Sequence, residues 1–152
     1  MKALTTLLVI GMFATAVAMA DDADDVRAAL QRYSIALNAG DVGAVTRLYA
    51  AASTNFGAPG GLLETFDSLE ELRNSFQARH DAGVKFNVQA RHIDVRVYGS
   101  STAVTTSYAV GTVTQPNGTT VQVNNRLTTV WVKQGGQWKE VHRHLSPVVL
   151  PQ

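Results

Sequence analysis

The chain of 152 residues has no cysteine and almost no net charge. Without cysteine, it cannot form disulfides, thiolate metal sites, iron–sulfur clusters or a thiol nucleophile. The formal charge is +1, from 13 basic and 12 acidic side chains. This balance offers no broad basic surface, so the composition argues against nucleic acid as a partner.

Long apolar runs are also scarce, and the one present lies at the N terminus. Residues 4–17 are mostly apolar, Lys2 precedes them, and residues 18–20 have the small-x-small pattern that signal peptidase reads. A membrane-spanning helix needs about 20 apolar residues, which is more than this run supplies. We therefore predict a signal peptide over residues 1–20, cut after Ala20, with an uncleaved anchor helix as the alternative.

The mature part, residues 21–152, is predicted to be one periplasmic or secreted domain without membrane attachment. A domain of this size buries enough apolar surface to fold without disulfides.

Helical periodicity marks the N-terminal half of this domain. Apolar residues at spacings of three and four predict one stripe of a first helix: Val26, Leu30, Tyr33 and Leu37. Gly40 is predicted to end that helix in the left-handed conformation. Asp41 then caps a second, shorter helix that is predicted to extend to Tyr49.

A looped or extended segment separates the second helix from a third. Residues 53–61 hold three glycines and a proline, which disfavour regular structure. Ser68 and Glu71 form a capping box at the start of the third helix, and Gly83 is predicted to end it.

The pattern changes to a period of two after Val84, and β-branched residues dominate. Four long antiparallel strands are predicted over residues 85–98, 102–115, 120–133 and 137–146. Helices followed by a run of strands predict an α+β fold. We expect a cone in which about three N-terminal helices pack on a curved antiparallel sheet and leave an apolar hollow at the open end.

Two motifs give the chain a family resemblance. The segment ALNAGD, residues 36–41, joins two helices, and the last strand reads G-x-W-K-x-V-H-x-H-x-S from Gly136 to Ser146. Together with the order of elements, they resemble the nuclear transport factor 2-like superfamily and, within it, the SnoaL-like and ketosteroid-isomerase-like group. The C-terminal residues are also similar to the association domain of calcium/calmodulin-dependent protein kinase II.

The resemblance covers essentially all of residues 21–152 and implies a cystatin-like roll. It implies no single function, because this fold hosts isomerases, cyclases, dehydratases, ligand binders and oligomeric hubs.

Tyr33 matches the oxyanion-hole tyrosine of the isomerases, but their general base falls on Gly57 and their second oxyanion donor on Thr129. An isomerase of that type needs a carboxylate to move the proton and a donor to hold the enolate. The pocket arginines of the kinase association domain align to Thr129 and Leu145, so that set is not reproduced either. The resemblance therefore implies a pocket without the catalytic carboxylates.

Three residues are weak catalytic candidates: Tyr33, His92 and Arg143. Tyr33 is either a hydrogen-bond donor to a ligand or a core residue. His92 is predicted to share a strand face with Asp94, which is either a base with its orienting group or a solvent-facing pair. An inward Arg143 needs a partner, either a ligand carboxylate or Asp94 or Glu64.

The ligand-binding candidates, which line the predicted hollow, are Tyr33, Arg126, Arg143, Tyr108 and Trp131. His142 and His144 are predicted to share the outer face of the last strand with Trp138 and Glu140. Two histidines at this spacing can bind a metal or pack at a subunit interface, and the interface is the preferred interpretation. No three-ligand set has a recognisable spacing, so neither a metal nor another cofactor is predicted.

Two functional hypotheses stay open. The preferred one is an exported, non-catalytic small-molecule-binding or assembly protein that forms a homodimer through its exposed sheet face. Its partner would be a small apolar or carboxylate-bearing molecule. The alternative is a cofactor-independent pocket enzyme that acts on a small apolar carbonyl compound, with Tyr33 as donor and His92 or Arg143 assisting.

Overall fold

The computed structural model describes the backbone of residues 4–57 and 61–149 and, within these ranges, side chains from Asp21 onward. The side chains of the predicted signal peptide lie outside the described part, so its cleavage after Ala20 stays a prediction. Among the described residues, no helix combines the length and the apolar character needed to cross a membrane.

The structure has an α+β fold, as predicted. In the described ranges, three helices and six strands follow one another as α1 (Leu4–Ala39), α2 (Val42–Thr46), β1 (Tyr49–Phe56), β2 (Leu63–Phe66), α3 (Leu69–Asp81), β3 (Lys85–Tyr98), β4 (Thr102–Thr114), β5 (Thr120–Gln134) and β6 (Gln137–Pro147). The strands form one sheet in the order β2-β1-β6-β5-β4-β3.

The sheet differs from the prediction at its β1–β2 end. Tyr49 begins β1 instead of ending the second helix, and the segment predicted to be looped or extended supplies the second half of β1, residues 53–56. β1 runs parallel to β6, so the sheet is mixed and not purely antiparallel. The sequence YAAASTNF has few β-branched residues, and its strand conformation depends on pairing with β6, which lies far away in the sequence.

The helices pack on the inner face of the sheet. The predicted stripe of α1 is confirmed, since Val26 and Leu30 are fully buried and Tyr33 is 6% exposed. Val26 and Leu30 pack in one core cluster with Trp131 and Leu127 of the sheet, and Tyr33 packs in a second cluster with Tyr49.

The predicted caps that orient these helices are confirmed. Gly40 has a φ of 70°. The Asp41 carboxylate accepts a hydrogen bond from the Ala44 amide at 2.8 Å, and the Ser68 hydroxyl accepts one from the Glu71 amide at 3.2 Å.

One irregular position interrupts the pairing of the edge strand β3 with β4. His92 has a φ of 53° at a register shift between β3 and β4, which is a β-bulge. Past the bulge, Ile93, Val95 and Val97 face the core together with the earlier residue Val88. An unbroken alternation from Val88 would have placed these three residues on the opposite face, and the extra residue at the bulge reverses it.

Candidate functional site

A second bulge, in β6, decides which side chains enter the interior. Trp131 pairs with Glu140 and Val130 pairs with His142, so Val141 is the extra residue. Glu140 and Arg143 consequently both face inward, whereas His142 lies on the outer face. The prediction that Glu140 shares a face with His142 is wrong for this reason.

Glu140 and Arg143 form a buried, bidentate ion pair. The Arg143 Nε donates to Glu140 Oε1 and its Nη2 donates to Oε2, each at 2.7 Å. Glu140 is fully buried and Arg143 is 6% exposed. Burial by itself disfavours the charged guanidinium, but the adjacent Glu140 carboxylate holds the pKa of Arg143 well above its usual value.

The partner of Arg143 is therefore neither of the expected carboxylates. Asp94 pairs with Arg96 at 3.0 Å, and Glu64 pairs with Arg79 at 2.8 Å. Sequence reasoning missed Glu140 because residues three apart on a regular strand face opposite sides, and only the bulge brings these two together.

Two tyrosines complete this interior cluster. The Arg143 guanidinium carbon lies 3.7 Å from the ring centroid of Tyr33, which is a cation–π contact. The rings of Tyr33 and Tyr49 meet edge to face at 6.1 Å. Burial raises the pKa of Tyr49 well above its usual value; Glu140 and Tyr33 raise it further, and Arg143 opposes the rise.

Trp131 and Thr129 extend the buried set without adding a reactive group. Trp131 is fully buried, and its indole N–H donates to the Thr129 hydroxyl at 2.6 Å. The Thr129 hydroxyl also lies 2.6 Å from that of Thr105. The position that matches the second oxyanion donor of the isomerases is thus occupied by a hydroxyl bonded within the core.

Three of the candidates lie on the other side of the sheet. Tyr108 is 43% exposed, and the His92 ring meets it edge to face at 6.2 Å. Arg126 pairs with Tyr108 across the strands and donates to the Pro147 carbonyl at 3.4 Å. Of the predicted site residues, Tyr33, Arg143 and Trp131 therefore lie on the inner side of the sheet. The other three, Arg126, Tyr108 and His92, lie on its outer face.

The outer sheet face is made of cross-strand rows. Its central residues, which are half-buried or exposed, are Val104, Val130, Thr106, Thr128, His142, His144 and Phe56. The Thr54 hydroxyl lies 2.8 Å from His142 Nδ1, and Phe56 packs against the rings of His142 and His144 at 6.0 and 5.4 Å. Within the described residues, no group of three or more His, Cys, Asp or Glu side chains could hold a metal ion.

A cavity of about 380 Å³ opens between the C-terminal end of α1, α2, α3 and the start of β3. Its wall is mostly apolar and includes Leu37, Val42, Val45, Phe76, Val84 and Phe86. None of the five predicted ligand-binding residues lines it. Leu37 and Gly40, which line this cavity, were predicted as part of the α1 stripe and as its cap. The sequence pattern did not indicate that a cavity lies between these helices and β3.

Comparisons with known proteins agree with this fold. The family described as the calcium/calmodulin dependent protein kinase II association domain matches residues 22–149. The CaMKII hub homology domain of Chlamydomonas reinhardtii has 27% sequence identity and a TM-score of 0.65, over 84% of this chain and 98% of that chain. No curated protein matches the sequence.

Two further solved structures show the same fold at lower identity. A ketosteroid isomerase-like protein from Erwinia carotovora atroseptica has a TM-score of 0.72 and 21% identity, over 85% of this chain and 98% of that chain. A dehydratase candidate of the NTF2-like family from Streptomyces avermitilis has a TM-score of 0.72 and 20% identity, over 86% and 99% of the two chains. The family match confirms the predicted resemblance to the kinase association domain, and these two structures confirm that the chain has the fold of ketosteroid isomerase-like and NTF2-like proteins.

Proposed function

This chain belongs to the calcium/calmodulin dependent protein kinase II association domain family, and from that premise we propose that it is an exported, non-catalytic domain that assembles with copies of itself and binds a small molecule. The hub homology domain among its structural neighbours favours self-assembly as the main role.

The proposal of self-assembly rests on the composition and exposure of the outer sheet face. Helices cover the inner face, where Ala103, Thr105, Leu127 and Trp131 are buried, and the described helices leave the outer face open. Its centre has valines, threonines and aromatic rings, and the charged pair of Asp94 and Arg96 lies at the β3 edge. The named central residues include no Lys, Arg, Asp or Glu, and a centre depleted of such residues within a charged rim is typical of protein–protein interfaces.

A two-fold contact suits such a surface, because in a two-fold dimer the same patch serves both copies. We therefore propose a homodimer through the outer sheet face as the basic unit of assembly.

The interior cluster supports a non-catalytic role. Glu140 and Arg143 neutralise each other, and the raised pKa of Tyr49 keeps its phenol protonated at neutral pH. General acid–base catalysis needs a group that exchanges protons near the working pH. Arg143 and Tyr49, whose pKa values both lie well above neutrality, do not meet that requirement.

The test of assembly is a charge placed in the middle of the outer face. Val130→Glu should convert the oligomer to a monomer in sedimentation velocity, because two copies would bury like charges against each other. Ile35→Glu is the matched control, since Ile35 is 69% exposed on α1, and it should leave the oligomer intact. An unchanged oligomer in Val130→Glu would contradict the proposed interface.

The non-catalytic part is tested separately. We expect no turnover of small carbonyl compounds such as Δ5-ketosteroids or aryl ketones. Turnover that is lost in Tyr33→Phe would contradict this part and favour the pocket enzyme.

A further inference from the structure

We propose that the cavity between α1, α2, α3 and β3, the α1–α3 cavity, binds a small molecule with an apolar body and one carboxylate group. This inference rests on the small-molecule half of the proposed function and names its site and ligand class.

The size and the wall of the cavity define the ligand body. Its volume of about 380 Å³ lies within the range of about 300–1,000 Å³ that is typical of small-molecule pockets. Leu37, Phe76 and Phe86 come from α1, α3 and β3, so three elements enclose an apolar ligand. Burying its hydrocarbon against these side chains is the main driving force for binding.

The wall next to Phe86 is fixed by Asn38. The Asn38 side-chain amide donates to the Val88 carbonyl at 3.0 Å, and its oxygen accepts from the Val88 amide at 2.9 Å. These bonds tie the end of α1 to β3. Because these bonds engage both the nitrogen and the oxygen of the Asn38 amide, a polar head group must be recognised by other side chains.

Two cationic or potentially cationic side chains also line the cavity, namely His80 and Lys85. The His80 ring lies directly against Gly40, because a Cβ atom added there would be 2.9 Å from its Cδ2 and 3.1 Å from its Nε2. His80 Nδ1 is 3.3 Å from the Asp81 carboxylate, so its Nε2 edge is the one directed toward Gly40.

The nearby carboxylates are engaged elsewhere. Asp41 accepts from the Ala44 amide at 2.8 Å, and Asp81 accepts from Gln77 at 2.7 Å; neither lines the cavity. Lys85 forms no ion pair with another described residue. A ligand carboxylate next to Lys85 would therefore gain a charge-assisted hydrogen bond without displacing a protein acid.

The test compares three eight-carbon probes by isothermal titration calorimetry at neutral pH. Octanoate should bind to the mature protein about fivefold more tightly than octan-1-ol or octylamine, as an ion pair with the exposed Lys85 predicts. Lys85→Gln should remove this preference. Arg91→Gln is the control, since Arg91 is an exposed cation on the same strand that does not line the cavity.

A steric variant locates the site. Val42→Trp should fill the cavity and abolish octanoate binding, and Val84→Trp serves the same purpose if the first variant melts at a lower temperature. Any of three results overturns the proposal. Octanoate fails to bind to the natural sequence, it binds no better than octylamine, or it still binds to both tryptophan variants.

The two proposals can fail separately. A small molecule that co-purifies with the protein and stays bound in both tryptophan variants overturns the α1–α3 cavity as its site but leaves small-molecule binding standing. Loss of the oligomer, by contrast, bears on assembly alone.

Discussion

At the scale of single residues, the Glu140–Arg143 pair dominates the interior. Two charges are removed from water, and the fork geometry of the guanidinium satisfies both carboxylate oxygens at 2.7 Å. The ring of Tyr33 adds a cation–π contact on the guanidinium face. Removing either partner leaves an uncompensated buried charge, whereas removing both does not.

We predict that Glu140→Gln or Arg143→Met lowers the free energy of unfolding by about 3–5 kcal/mol. The double variant Glu140→Leu/Arg143→Met should recover most of that loss. Glu64→Gln is the control, because the Glu64–Arg79 pair is 37% exposed on each side, and it should cost less than about 1 kcal/mol. Urea unfolding of the four variants and of the natural sequence measures these differences, and equal losses in Glu64→Gln and Glu140→Gln would refute this explanation.

The buried Tyr49 leads to a separate prediction about stability in alkaline solution. Unfolded Tyr49 loses its proton at about pH 10, whereas burial raises the pKa of the folded phenol well above that. The unfolded state then binds fewer protons, so stability falls as the pH rises above about 10, by at most about 1.4 kcal/mol per pH unit for this group. Tyr49→Phe should show a shallower decline than the natural sequence, whereas Tyr98→Phe, at an exposed position, should not.

At the scale of elements, the buried stripe of α1 and the helix caps could be predicted from the sequence, whereas the end of α2 and the strand faces could not. The stripe from Val26 to Tyr33 and the caps at Gly40 and Ser68 are local signals, and the structure confirms them. The bulges at His92 and Val141 have no comparable signal, because they arise from pairing with another strand. Each bulge reverses the alternation that follows it.

This is why the candidate site was only partly predictable. Tyr33, on a helix, was correctly assigned to the interior, whereas Tyr108, expected in the hollow, lies on the outer face. Arg143 does face inward, but its partner Glu140 could not be identified without the bulge.

At the scale of elements, we predict that Asn38 stabilises the edge strand β3. Asn38 pairs with both the N–H and the C=O of Val88, as a neighbouring strand would, at the end of the sheet. Asn38→Ala should remove two hydrogen bonds, each worth about 0.5–1.5 kcal/mol. It should also speed hydrogen exchange at the Val88 amide.

The control for this variant is Asn74→Ala, at an exposed position of α3. It should leave both stability and exchange at Val88 unchanged. An unaltered exchange rate in Asn38→Ala would contradict the role given to Asn38.

At the scale of the whole molecule, the sheet separates the two proposed functions. Its inner face and the helices form the core, with the α1–α3 cavity at one corner, and its outer face is available to a second copy. Asp22 joins α1 to the hairpin between β5 and β6, since its carboxylate pairs with Lys133 and accepts a hydrogen bond from the Trp138 indole. Both contacts involve the second residue of the predicted mature chain, so the proposed cleavage after Ala20 keeps them.

The central claim is self-assembly through the outer sheet face, and native mass spectrometry of residues 21–152 tests it most directly. The account predicts an oligomer built from dimers at micromolar concentration, which the Val130→Glu substitution reduces to single chains of unchanged fold. A natural sequence that is monomeric at that concentration would contradict the claim.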